Sequence, residues 1–189
     1  SCDGLYSSIT KQGQSPSGTV PEGVSDFVEK MVKDGADIID VGGESSRPGA
    51  KPVSVKEELN RIIPVIKIIN RKFNIPISVD TYKVQVAKPA LDNGAVLVND
   101  ISGLRDKRMA DLIAKYKAGV VIMHMRGTPS DMQKNIRYNS LIEDIMQYLK
   151  TAIDRAEEVG VDKEKIIIDP GIGFGKTVEH NLEILNRLR

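Results

Sequence analysis

Five short apolar segments recur along the chain, at Ala36–Asp40, Ile75–Asp80, Ala95–Asn99, Gly119–Met123 and Lys165–Asp169. They are rich in Val and Ile and lack strict alternation, the pattern of strands covered on both faces in a parallel sheet. Helical patterns lie between them. Val24, Phe27, Val28, Met31 and Val32 share one helical face, with Pro21 near its start and Gly35 at its end. Ser54 with Glu57 and Ser140 with Glu143 each form the S-x-x-E pattern that satisfies free amides in a first helical turn. Pro64 and Pro89 fall inside predicted helices and imply kinks or shortened elements, because proline removes a donor and crowds the preceding turn. Such a βα series is either a doubly wound sheet or a TIM-type barrel, and periodicity alone does not separate them.

Composition narrows the partners. The chain has 27 Lys plus Arg against 26 Asp plus Glu, a formal charge of +1, which argues against a duplex nucleic-acid binder and for a small-molecule partner. The single cysteine, Cys2, has no intrachain disulfide partner, and no signal peptide or membrane-spanning apolar run is evident, so a reducing, soluble compartment is expected. With 189 residues, 40% of them hydrophobic, the chain reads as one domain. Its ends read as cut: Ser1–Gly4 begins in loop chemistry, and Thr177–Arg189 is an apolar-periodic helix with no stop signal. A TIM-type barrel typically takes about 250 residues, so one strand is expected before Ser1 and two after Arg189. The strands ending at Asp40 and Asp169 would then each carry an unpaired edge. Gly13–Gly18 is the nearest approach to a flexible loop.

Three apolar segments end in a hydrogen-bonding side chain, Asp80, Asn99 and Asp169, and a fourth runs through Asp40 into Gly42, Gly43 and Glu44. In parallel βα folds ligands bind where the carboxyl ends of strands converge. A single such residue is as readily an Asx turn or a helix cap, but repetition in register points to a site. A carboxylate such as Asp169 accepts two parallel hydrogen bonds from the ring N–H and amino group of a 2-amino-4-oxopyrimidine edge, and Asn99 offers both a donor and an acceptor. The segment Asp169–Thr177 is glycine-rich, but Pro170 stands where a Walker A loop needs glycine, and Lys176 where a dinucleotide fingerprint needs glycine or alanine. It reads equally as a tight turn before a helix capped by Thr177 and as a ligand wall with Phe174 near a ring. In the loop Gly42–Ala50, Ser46 and Arg47 present a hydroxyl and a planar cation suited to phosphate or carboxylate. His124 reads as a structural hydrogen-bonder: with His180 as the only other histidine and no Cys cluster, a transition-metal cage is not supported. Met123 is ordinary packing that could lie against a ring face.

Taken together and in order, Asp40–Gly49, Ser78–Lys83, Val98–Gly103, Met123–Gly127 and Asp169–Lys176 resemble the dihydropteroate synthase family of pterin-binding barrels. Ser46 stands where that family often has Thr. The resemblance implies an α/β TIM-type (β/α)8 barrel, with about five of eight strands in a pterin-binding domain over 1–189 that is truncated at both ends. It implies that Asp80, Asn99 and Asp169 hold the pterin, that Met123 and Phe174 line its slot, and that Ser46 and Arg47 organise diphosphate and p-aminobenzoate. The implied reaction joins 6-hydroxymethyl-7,8-dihydropterin diphosphate to p-aminobenzoate, releasing diphosphate, in folate biosynthesis. Magnesium (Mg2+) is the implied cofactor, with no metal ligand expected in this chain because the family's asparagine for it would precede Ser1. The family's later lysine and arginine-histidine motif would follow Arg189, so the 189 residues alone are expected to be inactive. Implied partners are the two substrates and sulfonamide-type analogues, with a possible homodimer, no nucleic acid and no membrane; the implied location is cytoplasmic, with organellar import in a eukaryote left open. Two alternatives stand beside this: a domain passing a methyl group from a methylated folate to cobalamin, which the Ser46–Gly49 loop disfavours, and a non-catalytic pterin-binding module.

Overall fold

The computed structural model describes residues 23–188. The expectations placed on Ser1–Gly4, Cys2, Gly13–Gly18 and Pro21 lie outside them. The chain divides into two compact units, one of residues up to Ser45 together with Pro52–Asn99, the other of Ser46–Lys51 with Asp100 onward.

The first unit runs α1 (Val24–Lys33), β1 (Ile39–Gly42), α2 (Val55–Lys72), β2 (Ile77–Asp80), α3 (Val84–Asp92) and β3 (Leu97–Asp100). β1 pairs with β2 and β2 with β3, both parallel. The register sets Gly42 beside Asp80 and Asp80 beside Asn99, so these strand ends are level. α2 buries Ile62, Val65, Ile66 and Ile69 on one face, and Ser54 caps it by accepting a hydrogen bond from the Glu57 amide at 3.2 Å. It runs helical for 18 residues across Pro64, so the expected shortening does not occur there; α3 also crosses Pro89 but spans nine residues. On α1 the buried positions are Val24 and Val28, whereas Val32 is exposed.

The second unit runs α4 (Lys107–Tyr116), β4 (Gly119–Met123), α5 (Leu141–Glu158), a 3-10 turn (Lys163–Lys165), β5 (Ile166–Asp169) and α6 (Val178–Asn186). β4 and β5 are parallel, with Met123 beside Asp169. Two expectations need correction. Ile167 and Ile168 of β5 are 50% and 55% exposed, so this strand is not covered on both faces among the described residues. Ser140 precedes α5 but makes no side-chain cap; the Asp144 carboxylate instead accepts from the Asn139 amide at 3.2 Å. α6 is capped by Thr177, whose hydroxyl accepts from the His180 amide while His180 Nδ1 accepts from the Thr177 amide, and it stops at Asn186 rather than running to the terminus.

The strands at Ile39 and Leu97 start later than the apolar segments Ala36–Asp40 and Ala95–Asn99 that announce them, for one local reason. Gly35 and Gly94 take left-handed φ of 95° and 109°, and the next amides, Ala36 and Ala95, donate back to Met31 and Ala90. Helix ends satisfied in this way use the first apolar residue for capping before strand pairing begins. Lys117 (φ 53°) with Ala118, and Gly160 (φ 92°) with Val161, repeat the device in the second unit.

Candidate functional site

In the first unit the level ends of β1, β2 and β3 carry Gly42, Asp80 and Asn99, and Asp40 lies two residues back on β1, opposite Ser78. Asn99 Nδ2 donates to Asp40 Oδ2 at 3.2 Å, and Asp80 is buried. Gly42 is bare for a reason: a Cβ there would stand 3.2 Å from both Cβ and Oδ2 of Asp80. Asp40 is joined to the predicted Asn99 by that hydrogen bond, although β1 continues past it to Gly42.

Beside this lies a polar network that the sequence reading missed. Glu58, on α2, is 1% exposed and accepts from Lys83 Nζ at 2.6 Å and from the Thr81 hydroxyl at 2.7 Å. Lys83 Nζ also donates to Glu44 Oε2 at 2.6 Å, and the Tyr82 hydroxyl donates to Glu44 Oε1 at 2.6 Å. Burial alone would push the Glu44 carboxyl up and the Lys83 ammonium down. Their hydrogen bonds prevail: Lys83, Tyr82 and the Val53 amide hold Glu44 below the usual range, and Glu44 and Glu58 hold Lys83 above its own. Burial and the Glu44 carboxylate both raise the Tyr82 hydroxyl. Glu58 was legible in one respect, since it shares the helical face of Ile62, Val65, Ile66 and Ile69 at positions i+4, i+7, i+8 and i+11.

In the second unit Met123 ends β4 and His124 follows it, both buried, and Asp169 ends β5, half-buried. The His124 amide donates to the Asp169 carbonyl at 2.9 Å, and the Gly171 amide donates to Asp169 Oδ1 at 2.7 Å. Phe174, half-buried, donates its amide to the Gly171 carbonyl at 3.1 Å. Lys176 reaches back through the core: its Nζ lies 3.0 Å from His124 Nδ1 and donates to the carbonyls of Phe174 (3.0 Å) and His124 (3.3 Å). Burial lowers Lys176 to about 8 against the opposing pull of Asp169, and burial with the Lys176 cation lowers His124 to about 4. A neutral His124 accepting from a charged Lys176 fits both directions and the structural role expected of His124. The glycine-rich segment is thus a built turn, pinned further by Gln133 Nε2 on the Gly173 carbonyl and the Tyr138 hydroxyl on the Gly175 carbonyl.

The loop residues Ser46 and Arg47 are half-buried and exposed, respectively. Arg47 turns the chain through its carbonyl, which accepts from Ala50 at 3.0 Å, and the Gly49 amide donates to the Pro129 carbonyl at 2.8 Å. A cavity of about 550 Å³ in the second unit is lined in part by Arg105, His124, Arg126, Tyr138, Tyr148 and Arg155, and by none of the predicted site residues. Arg105 donates to the Gly127 and Met125 carbonyls, Arg155 donates to the Leu104 carbonyl, and Arg126 stacks 5.2 Å from the Tyr138 ring. Among the described residues no three His, Cys, Asp or Glu side chains are grouped to hold a metal ion.

Residues 8–189 match the sequence signature of the family described as pterin binding enzyme. The chain belongs to that family. A dihydropteroate synthase of Clostridium beijerinckii is 51% identical over 162 residues, 85% of this chain and 58% of its own length. Among solved structures, dihydropteroate synthase from Clostridium difficile in the presence of pteroic acid superposes with a TM-score of 0.81 at 48% identity, over 87% of this chain and 60% of that one. The enzyme from Thermus thermophilus in complex with 4-aminobenzoate gives 0.81 at 42% identity, over 89% of this chain and 63% of that one. The chain therefore spans somewhat over half the length of these pterin binding enzymes. The expected fold class holds: parallel strands alternating with helices in the TIM-type barrel fold of this family.

Proposed function

We propose that this chain serves dihydropteroate synthesis, as a pterin-binding domain over 1–189 within a longer barrel. The observation that carries the reading is Asp169, fixed by the Gly171 amide on one oxygen, in a chain 51% identical to a dihydropteroate synthase. A carboxylate held in that way keeps acceptor capacity for the N–H and amino group of a pterin edge. Asp80 and Asn99 in the first unit, and Met123, Asp169 and Phe174 in the second, are the proposed pterin contacts; Ser46 and Arg47 are assigned to diphosphate and p-aminobenzoate. The aromatic amine nitrogen forms a bond to the pterin methylene carbon as its bond to the diphosphate oxygen breaks, and the amine gives up a proton. Positive charge developing on the methylene is stabilised by fixed carboxylates such as Asp80.

Magnesium is part of the proposal as the counter-charge of the diphosphate, and none of the described residues is assigned to it. Sulfonamide-type analogues would compete for the p-aminobenzoate position. A homodimer in the cytoplasm completes the reading; among the described residues no helix is long and apolar enough to cross a membrane. The test is diphosphate release by the full-length protein, with p-aminobenzoate present or withheld. Release that requires p-aminobenzoate supports the reading; methyl transfer from a methylated folate to cobalamin without it, or pterin binding with no turnover, overturns it.

A further inference from the structure

Between β1 and α2 the chain makes an excursion that carries Ser46 and Arg47, and the two stems of that excursion are tied at one ammonium group. Lys83, the residue before α3, places Nζ 2.6 Å from Glu44 Oε2 on the outgoing stem and 2.7 Å from the Val53 carbonyl on the returning one. Its third contact is Glu58 Oε2 at 2.6 Å, so all three donors of the ammonium are used. The stems are also joined directly, the Val53 amide donating to Glu44 Oε2 at 2.6 Å. Beneath them Gly43 lies flat on α2. A Cβ at Gly43 would stand 2.8 Å from Glu58 Cγ and 2.9 Å from Ile62 Cγ2, and Arg61 donates to the Gly43 carbonyl at 2.9 Å. Side-chain exposures of 14%, 10% and 1% for Lys83, Glu44 and Glu58 remove the network from solvent.

Burying one cation with two carboxylates adds little net stability, because desolvation offsets the attraction; what such a network supplies when every donor is satisfied is one defined geometry. We infer that Lys83 is a positioning residue that closes the neck of the Ser46–Arg47 loop by holding its two stems, at Glu44 and Val53, together. The inference rests on the proposed function for the consequence in catalysis, but the closed neck stands on the contacts alone. Lys83 is assigned to neither substrate and acts through Glu44 and Val53.

The test uses two variants of the full-length protein. Glu44→Gln keeps an acceptor for the Val53 amide and removes one charge. The triple change Lys83→Met, Glu44→Gln and Glu58→Gln neutralises the network at nearly constant shape, so no buried charge is stranded and folding is retained. Both are read by steady-state kinetics with each substrate, by pterin binding, and by hydrogen exchange of the peptide spanning residues 44–54. The triple variant should lose about 100-fold in kcat/KM for p-aminobenzoate, the scale of a misplacement near 1 Å, with pterin affinity within twofold of the parent. Its loop amides, Val53 included, should exchange faster, and Glu44→Gln should fall between. Unchanged exchange and kinetics in the triple variant overturn the inference, as does a parallel loss of pterin affinity, which would mark the network as a general support of the unit. A parent protein without p-aminobenzoate-dependent turnover sinks the proposed function instead, and exchange of the 44–54 peptide still decides the neck.

Discussion

Replacing Gly171 with alanine puts a methyl group where the fold has left no room. The Cβ would lie 2.0 Å from the His124 carbonyl oxygen and 3.1 Å from its carbon, both backbone atoms. Gly171 also sits at φ +70°, and an L residue in that region costs about 1–2 kcal/mol before any contact is counted. Relief requires the turn to move by about 1 Å, and the groups that must yield are the Gly171 amide on Asp169 Oδ1 and the His124 amide on the Asp169 carbonyl. A hydrogen bond to a charged group contributes about 1.5–3 kcal/mol and a neutral one about 1. Gly171→Ala should therefore destabilise the full-length protein by about 3.5–6 kcal/mol and displace Asp169, weakening pterin binding with it. Gly173→Ala supplies the control, because Gly173 has φ +83° but a methyl group added there would meet nothing within 4 Å, so only the backbone cost applies. Urea denaturation of the two variants, with pterin calorimetry on each, separates clash from conformation. If both lose the same stability, the tight approach of Gly171 to His124 is not what holds the turn.

Asp169→Asn should weaken pterin binding by about 2–4 kcal/mol, since an amide cannot accept both hydrogen bonds that the carboxylate takes; equal calorimetric affinities in variant and parent would remove Asp169 from the site. Arg47→Lys should lower turnover while leaving the melting temperature nearly unchanged, because lysine keeps the charge and loses the planar fork; normal turnover of both substrates would reduce the loop to a connector. For pH, His124 falls from 6.5 to about 4 on folding, so between those values the unfolded chain binds a proton that the folded chain does not. Stability should be fully present above pH 6.5 and decline toward pH 4, by at most about 3 kcal/mol from this group. Lys176, lowered from 10.5 to about 8, acts in the same direction: stability rises with pH across that interval, where the unfolded chain keeps the proton the folded one has lost. Urea midpoints that stay flat in His124→Gln and parent alike through the acid range would contradict this assignment.

The positions of strands and helices were legible because Val- and Ile-rich runs and helical faces repeat locally. What the runs did not disclose is how a helix hands over to a strand: Ala36 and Ala95 look like strand residues but serve as caps. Nor does an apolar run state where its cover lies: Ile167 and Ile168 are exposed among the described residues of a chain that spans 58% of a relative's length. Asp80 and Asn99 stood out by their place at strand ends, and register sets them side by side. Glu58 did not stand out, because an acid in a first helical turn has a ready surface explanation in the helix dipole, and its partner Lys83 lies 25 residues away. A pairing over that separation is set by tertiary packing, not by any local pattern.

The four left-handed helix ends have a kinetic consequence. Each is closed by a bond from an amide to a carbonyl five residues back, Ala36 to Met31, Ala95 to Ala90, Ala118 to Ile113 and Val161 to Ala156. Contacts so short in sequence form without closing any long loop, so each chain reversal is available before distant strands meet. Three of these reversals stand on glycine, and the fourth stands on Lys117, whose side chain resists the left-handed region. The turn from α4 into β4 is therefore the least predisposed of the four, and the order in which the strands assemble should be most sensitive to what occupies that position.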